Sequence, residues 1–318
     1  MSTVTPLHPE TTRNLREEVA VLQKRDTKLT QSEIARLSGI GSSRLNRWLK
    51  GLYEGDNESL EAELARWIDA YNARMIESRA LPVAPAWVST PSGERVLAAL
   101  GYAQVAGDIA LVYGGAGLGK TTGIEEYERL NPNVWVATMS PSTASVVPAL
   151  EEIAYALGLR EVSGGAARLK RAIIARLRGT HGLLVVDEAQ HLGTAALDEI
   201  RTLHDATGLG IALVGNESVY ARMTGGNRAA YLDRLFSRIG KRVRLVRASR
   251  DDIDALIDAW ALKTKDCRQV LHDIAAKPGG LRGLTKVMRL ASMFAHGAKR
   301  AVSCDDIRAA WRDLGGDQ

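Results

Sequence analysis

Apolar patterning divides the 318-residue chain into three segments. Over residues 1–76, apolar positions recur three and four residues apart, which puts them on one face of a helix. "TRNLREEVAVLQKRD" is one such stretch, and "LTQSEIARLSGIGSSRLNRWLKG" holds two short ones around a turn at Gly39 to Gly41. Thr30 or Ser32 can cap the first of the pair and Ser42 or Ser43 the second, because a hydroxyl at a helix start accepts from the free N–H groups there. Ile34, Leu37, Ile40, Leu45 and Trp48 form the expected inner face. Ser43, Arg44, Asn46, Arg47 and Lys50 are left outside, and since the spacing looks like a helix-turn-helix whose second helix enters the major groove, they are the expected DNA contacts. "GDNESLEAELARWIDAYNARM" reads as a further helix, acidic first and basic last, the charge order that the helix dipole favours. Two prolines in "SRALPVAPAW" mark 77–87 as a linker.

From 88 to 247 the pattern changes to short apolar runs separated by helical stretches. "DIALVYG", "VWVATMS", "GLLVVDEAQHL", "LGIALVGN" and "KRVRLV" are runs of strand length. Strands that alternate with helices predict a parallel sheet covered on both faces, an α/β fold. From 248 to 318 every apolar stretch returns to helical spacing, in "DDIDALIDAWAL", "RQVLHDIAA", "LRGLTKVMRLASMFA" and "SCDDIRAAWRDLG". The expected organisation is an all-α first domain, the linker, an α/β core and a small all-α lid.

Composition narrows the class. Hydrophobic residues at 45% and charged residues at 25% are ordinary for a soluble protein. No apolar run approaches the roughly 18 residues of a membrane span, and the start of the chain lacks a signal-peptide core. Cys267 and Cys304 stand far apart in sequence without metal-ligand spacing, so they read as separate buried thiols in a reducing cytoplasm. Net charge is +5, but its distribution says more. Nine Lys and Arg lie between Arg222 and Arg250, Arg228 among them, against Asp233 alone; six more lie between Lys277 and Arg300 with no acid. Clustered basic charge is either a solvated helix face or the electrostatic footprint of a nucleic-acid binder.

The chemistry centres on "YGGAGLGKTTGI". From Gly114, through Gly115, Ala116, Gly117 and Leu118 to Gly119, Lys120 and Thr121, it fits the phosphate-loop pattern, with Thr122 following. Glycines let backbone N–H groups turn toward phosphate oxygens, the Lys120 ammonium adds a charge near the β- and γ-phosphates, and the Thr121 hydroxyl can hold Mg²⁺. An ordinary glycine turn would demand neither the apolar strand before it nor the helix after it. "LLVVDEAQ" then ends a buried strand with Asp187 and Glu188. Asp187 is placed to hold Mg²⁺ through water and Glu188 to deprotonate the attacking water. Asn216 ends the next strand, where its amide can reach a γ-phosphate, although Asn after Gly is also common in turns.

This ordered set resembles the AAA+ ATPases, with "RLFSRIGKR" before the last strand and "GGLRGL" in the lid. The resemblance implies ATP and Mg²⁺ as ligands. It makes Arg238 the first candidate for an arginine finger, Arg234 the second, and Arg282 the sensor arginine of the lid. A finger acts on a neighbour's phosphate, so self-association follows from it. Within that class the chain resembles the phage Mu B family of transposition proteins, because a repressor-like helix-turn-helix precedes the "GGAGLGKTT" and "VVDEAQHL" core. The family implies a filament or ring on double-stranded DNA with little sequence preference, delivery of that DNA to a partner transposase, and residence in the cytoplasm of a bacterial host. A phage helicase loader shares the core motifs, and a repressor in which ATP is only a switch shares the first domain; both readings stay open at the level of sequence.

Overall fold

Leu15, Val19 and Leu22 meet Ile34, Leu45, Trp48, Leu60, Leu64 and Ile68 in one small core, which four helices enclose. These are α1 (Leu15–Arg25), α2 (Gln31–Ser38), α3 (Ser42–Leu49) and α4 (Asn57–Ala80). In this computed structural model the described residues are 13–80, 87–162, 164–224, 229–262 and 265–316. They fall into two compact units, Met1–Leu81 and Pro82–Gln318.

Thr30 caps α2, its hydroxyl accepting from the Glu33 N–H, and Gly39 ends the helix in the left-handed region at φ 77°. Three expectations are corrected here. Neither Ser42 nor Ser43 caps α3: Gly41 stands at that position and no side chain caps the helix, so both serines fall inside the first turn. Leu37 is 44% exposed, and Ala35 is buried in its place. Ile34 and Ala35 centre the buried face of α2, and at about 100° per residue Leu37 falls about 110° from that centre. The helix α4 runs on to Ala80, so the linker expected from 77 is helical over its first residues, while 81–86 lie outside the described residues.

The second unit is built on a parallel sheet of β1 (Ile109–Gly114), β2 (Val134–Thr138), β3 (Leu183–Asp187), β4 (Gly210–Gly215) and β5 (Ile239–Leu245), in the order β2-β3-β4-β1-β5. Strands β1, β3 and β4 are buried along their whole length, which is why they read as continuous apolar runs. At the edge, β5 buries Ile239, Val243 and Leu245 and leaves Arg242 and Arg244 exposed. On one face α5 (Pro91–Ala106) and α6 (Lys120–Leu130) pack Val96, Leu100 and Ile124 against Val112, Val185 and Val214. On the other, α7 (Val146–Ala156), α8 (Ala166–Leu177) and α9 (Thr194–Thr207) pack Ile153, Ile173 and Ile200 against Leu111, Val186 and Leu213. The helices α10 (Glu217–Thr224) and α11 (Ala229–Phe236) lead into β5.

Four helices close the chain: α12 (Arg250–Ala259), α13 (Lys265–Ala275), α14 (Gly280–Gly297) and α15 (Cys304–Asp313). They share a core of Ile257, Leu271, Leu284, Val287 and Ile307. Asp252 ties them to the sheet. Its buried carboxylate accepts from the Ser249 N–H and hydroxyl at 2.8 Å, and from the Ser92 N–H and hydroxyl at 2.7 and 2.8 Å. One side chain thus caps α12 and anchors the start of α5. The cysteines correct another expectation. Packing of α13 beside α15 brings Cys267 and Cys304 to a Cα separation of 4.9 Å and joins them in a disulfide, which their distance of 37 residues in sequence conceals. They no longer argue for a reducing compartment.

Candidate functional site: a nucleotide cleft between phosphate loop and lid

The loop between β1 and α6 owes its course to three glycines. A Cβ on Gly114, at φ 146°, would stand 1.8 Å from the Leu245 carbonyl oxygen of β5. One on Gly117, at φ 74°, would stand 2.0 Å from the Gly279 oxygen. Close backbone approach at these two points leaves no room for a side chain. Gly119, at φ 84°, then turns the chain into α6, whose first N–H groups carry no side-chain cap. A helix start of this kind is a ready anion site.

Lys120 sits over the loop and donates from Nζ to the Gly114 and Gly115 carbonyls at 3.0 and 2.7 Å. Burial draws its pKa down, while Asp187 and Glu188 pull the other way. Asp187, at the end of β3, is 4% exposed; burial raises its pKa, against the opposing pull of the Glu188 N–H and the Thr121 hydroxyl that bond to it. Its carboxylate accepts from the Thr121 hydroxyl at 3.3 Å and from the Glu188 N–H at 2.8 Å. A hydroxyl and a buried carboxylate side by side are hard oxygen groups that could hold Mg²⁺ here, directly or through water. Among the described residues no cluster of three or more His, Cys, Asp or Glu side chains offers another metal site.

The cleft beside the loop has a volume of about 530 Å³. Its lining brings together Ala116, Gly117, Gly119, Lys120, Thr121 and Thr122 with Glu188, Asn216 and the lid's Arg282. The lid meets the loop directly, since the Arg282 N–H donates to the Gly117 oxygen at 3.3 Å. Leu118 does not line the cleft; it is buried among Val112, Ile124 and Leu245 and anchors the loop from below. Asn216 spends its Oδ1 on the Ser218 N–H and hydroxyl, at 2.9 and 2.6 Å, and so starts α10. Both readings of this residue meet here, a turn cap whose side chain also faces the cleft.

Arg238 lies apart from the cleft and pairs with Asp205 at 3.0 Å, while Arg234 is exposed and has no partner among the described residues. Ser43 and Arg47 on α3, and Lys50 at its C-cap, are exposed. Arg44 is not free: it donates to the Tyr53 hydroxyl at 3.2 Å and pairs with Glu63 at 3.4 Å. Asn46 donates to Gln31 at 3.3 Å. Four cations of the basic stretch are engaged in the same way as Arg44. Arg222 donates to the Leu192 oxygen, Lys241 to the Ala98 oxygen, Arg244 pairs with Glu217, and Arg242 stacks on Phe236. Arg228 lies outside the described residues.

Sequence reasoning passed over several residues that the fold brings to the cleft. Gln190 lines it between Glu188 and Asn216, and Lys286 and Arg289 extend the cationic face of α14 beyond Arg282. The helical spacing of 282, 286 and 289 was the signal for the last two. Trp87, Val88, Leu256 and Leu281 add an apolar part to the lining. Nothing in their local sequence announces this.

Comparison with known proteins agrees with this geometry. An AAA domain matches residues 105–223, and the family described as Mu B transposition protein, C terminal, matches residues 237–314. Over 285 residues the chain is 40% identical to the ATP-dependent target DNA activator B of Escherichia phage Mu, covering 90% of each chain. It is 36% identical to the Mu-like prophage FluMu DNA transposition protein B of Haemophilus influenzae, over 82% of this chain and 91% of that one. Domain III of the Thermotoga maritima replication initiation protein DnaA shares the fold, with a TM-score of 0.50 and 16% identity over 72% of this chain and 94% of that one. Identity of this size over nearly the whole length shows the family: the chain belongs to the phage Mu B family of transposition proteins, built on an AAA+ core.

Proposed function

We propose that the chain hydrolyses ATP to ADP and phosphate and uses the ATP-bound state to assemble on double-stranded DNA of almost any sequence, as a helical filament or ring. The assembly presents that DNA to a partner transposase and stimulates it, in the cytoplasm of a bacterial host. The supporting observation is full-length likeness to a protein named as an ATP-dependent target DNA activator, joined to a formed nucleotide cleft.

In this reading the loop N–H groups and Lys120 hold the triphosphate, Lys120 exchanging its loop carbonyls for phosphate oxygens. Thr121 and Asp187 hold Mg²⁺, which when bound neutralises charge on the β- and γ-phosphates. Glu188 takes the proton of the attacking water. Asn216 keeps its Nδ2 as a donor for the γ-phosphate, and Arg282 closes on the phosphates from the lid. Arg238 completes a neighbour's site, with Arg234 as the alternative, after exchanging Asp205 for the transferring phosphoryl group. Ser43, Arg47 and Lys50 of α3 meet DNA, with Arg44 and Asn46 held behind them.

Negative-stain microscopy of the full chain tests this, on several unrelated duplexes, with and without a non-hydrolysable ATP analogue. Filaments or rings that need both DNA and nucleotide, whatever the sequence, are the expected result. Binding to one duplex alone without assembly would overturn it in favour of a repressor.

A further inference from the structure

The inner face of α1 is spent on the core of the first unit, yet its outer face carries an apolar residue with opposite charges set evenly about it. Leu15, Val19 and Leu22 are buried, whereas Val21 is 52% exposed. Val21 lines a groove of about 540 Å³ that α1 shares with Asn72 of α4. Glu17 stands four residues before it and Arg25 four after. Both are exposed, both line the same groove, and neither side chain has a partner among the described residues. The other charged side chains of the lining, Arg13 and Glu18, pair with each other at 2.7 Å, and Arg13 also holds Asp69 at 2.7 Å. Four residues of helix rise about 6 Å, so Glu17 and Arg25 are equally far from Val21 along one i, i+4, i+8 ridge, the kind that packs most often between helices. Ala20, exposed beside Val21, adds no bulk to hold a second helix away.

We propose that this ridge pairs the first units of two copies of the chain, α1 against α1. A second α1 laid antiparallel about a two-fold axis through Val21 sets each Glu17 against the Arg25 of the other copy, twice over, with valine on valine between them. The surface is its own complement, as a two-fold contact requires. A parallel pairing in register would set Glu17 on Glu17 and Arg25 on Arg25, so charge selects the antiparallel one. One valine from each copy makes the contact weak by itself, because stable interfaces bury roughly 1,000 Å² or more. Within an assembly the first units meet at effective concentrations on the order of millimolar, where a weak contact is occupied. That gain, though not the pairing itself, rests on the self-assembly proposed above. Paired first units carry two α3 helices as one body, and the two can hold DNA together.

The test is cross-linking of the full chain by a short bismaleimide, at high protein concentration without nucleotide, and again on duplex DNA with a non-hydrolysable ATP analogue. A residue on a two-fold axis meets itself, so Val21→Cys should give a covalent dimer, while wild type and Lys28→Cys, an exposed position off the ridge, should give at least about tenfold less. Added to Val21→Cys, either Glu17→Arg or Arg25→Glu turns two attractions into two repulsions and should lower the dimer yield about tenfold. The two exchanges together should restore it, which a merely misfolded variant would not do. Equal yields from Val21→Cys and Lys28→Cys, indifference to the single charge reversals, or no recovery in the double exchange overturns the pairing. Protection of Val21→Cys from the reagent without a dimer means that something other than a second copy covers the groove, and overturns it too. If the pattern holds without nucleotide but the yield does not rise on DNA, the pairing stands and the assembly proposed above fails.

Discussion

The phosphate loop and the basic stretch that ends in β5 both gather positive charge beside the sheet, and they satisfy it in opposite ways. Lys120 rests on two carbonyls of its own loop, in a half-buried position where burial draws its pKa down. Its charge waits for a partner from outside the chain. In the stretch from Arg222 to Arg250 several cations have side-chain partners inside: Arg238 has Asp205, Arg244 has Glu217 and Arg242 has the Phe236 ring, while the Arg234 guanidinium has none among the described residues. A cation held by its own fold contributes to that fold first, and must exchange a bond before it serves a ligand. Density of charge in a sequence is therefore a poor measure of how much charge is free to bind.

The widest effect expected from this contrast is at the finger. An arginine supplied across a subunit boundary is worth on the order of 10³ in kcat. If Arg238 is that residue, Arg238→Ala should lose about that factor in DNA-stimulated hydrolysis while the isolated chain binds nucleotide as before. Arg234→Ala should then change the rate little. Reversal of the two results would show that the partner-free arginine acts and that the Asp205 pair is purely structural. Hydrolysis rates of each variant in DNA-bound assemblies decide between them.

Lys120→Ala tests the other side. Removing a charge-assisted donor to phosphate should weaken nucleotide affinity on the order of 100-fold. Because Lys120 bonds only to its own loop, the melting temperature without nucleotide should hardly move. Titration with a fluorescent nucleotide and a melting curve measure the two effects separately. A large loss of melting temperature would place Lys120 with the internally satisfied cations.

Asp252 is the anionic counterpart, fully engaged within the fold. Burial pushes its carboxyl up, but the Ser92 and Ser249 donors outweigh burial and hold it below the usual carboxylate range. Replacement by Ala leaves those donors unmet and should cost about 2–4 kcal/mol of stability. The sign for pH follows from the same shift. A carboxyl depressed in the folded state stabilises above its unfolded pKa, and that stability is lost as pH falls through the range below about 4. Acid-dependent melting of wild type against Asp252→Asn checks it, since the variant should lose part of the acid sensitivity.

Legibility in the sequence follows the same line. The strands of the sheet and the loop from Gly114 to Thr121 were readable because backbone geometry dictates them: full burial demands apolar runs, and close approach to Leu245 and Gly279 demands glycine. What was hidden depended on contacts between distant segments. The pairing of Cys267 with Cys304, the bond from Arg44 to Tyr53 and the bond from the Asn216 N–H to Gln190 each join positions whose meeting only packing determines. Leu37 shows a smaller failure, because α2 has eight residues and too few apolar positions to fix its inward direction.

The smallest expected effect concerns α3, and it separates free from engaged charge within one helix. Arg47 and Lys50 are exposed, whereas Arg44 bonds to Tyr53 and Glu63. Each phosphate that a free cation neutralises should contribute roughly 0.9 to the slope of log affinity against log salt. Replacing Arg47 and Lys50 together by Ala should therefore flatten the slope by up to roughly twice that amount and weaken binding to unrelated duplexes about equally, because phosphate contacts position a protein without reading bases. Arg44→Ala should leave the slope close to wild type and instead lower the melting temperature of the first unit slightly, since an exposed ion pair contributes about 0–1 kcal/mol. Salt titrations on two unrelated duplexes distinguish the outcomes. Equal flattening by Arg44→Ala would mean that the Glu63 pair opens on DNA at little cost, and the distinction between held and waiting charge would then fail where the holding bonds are weakest.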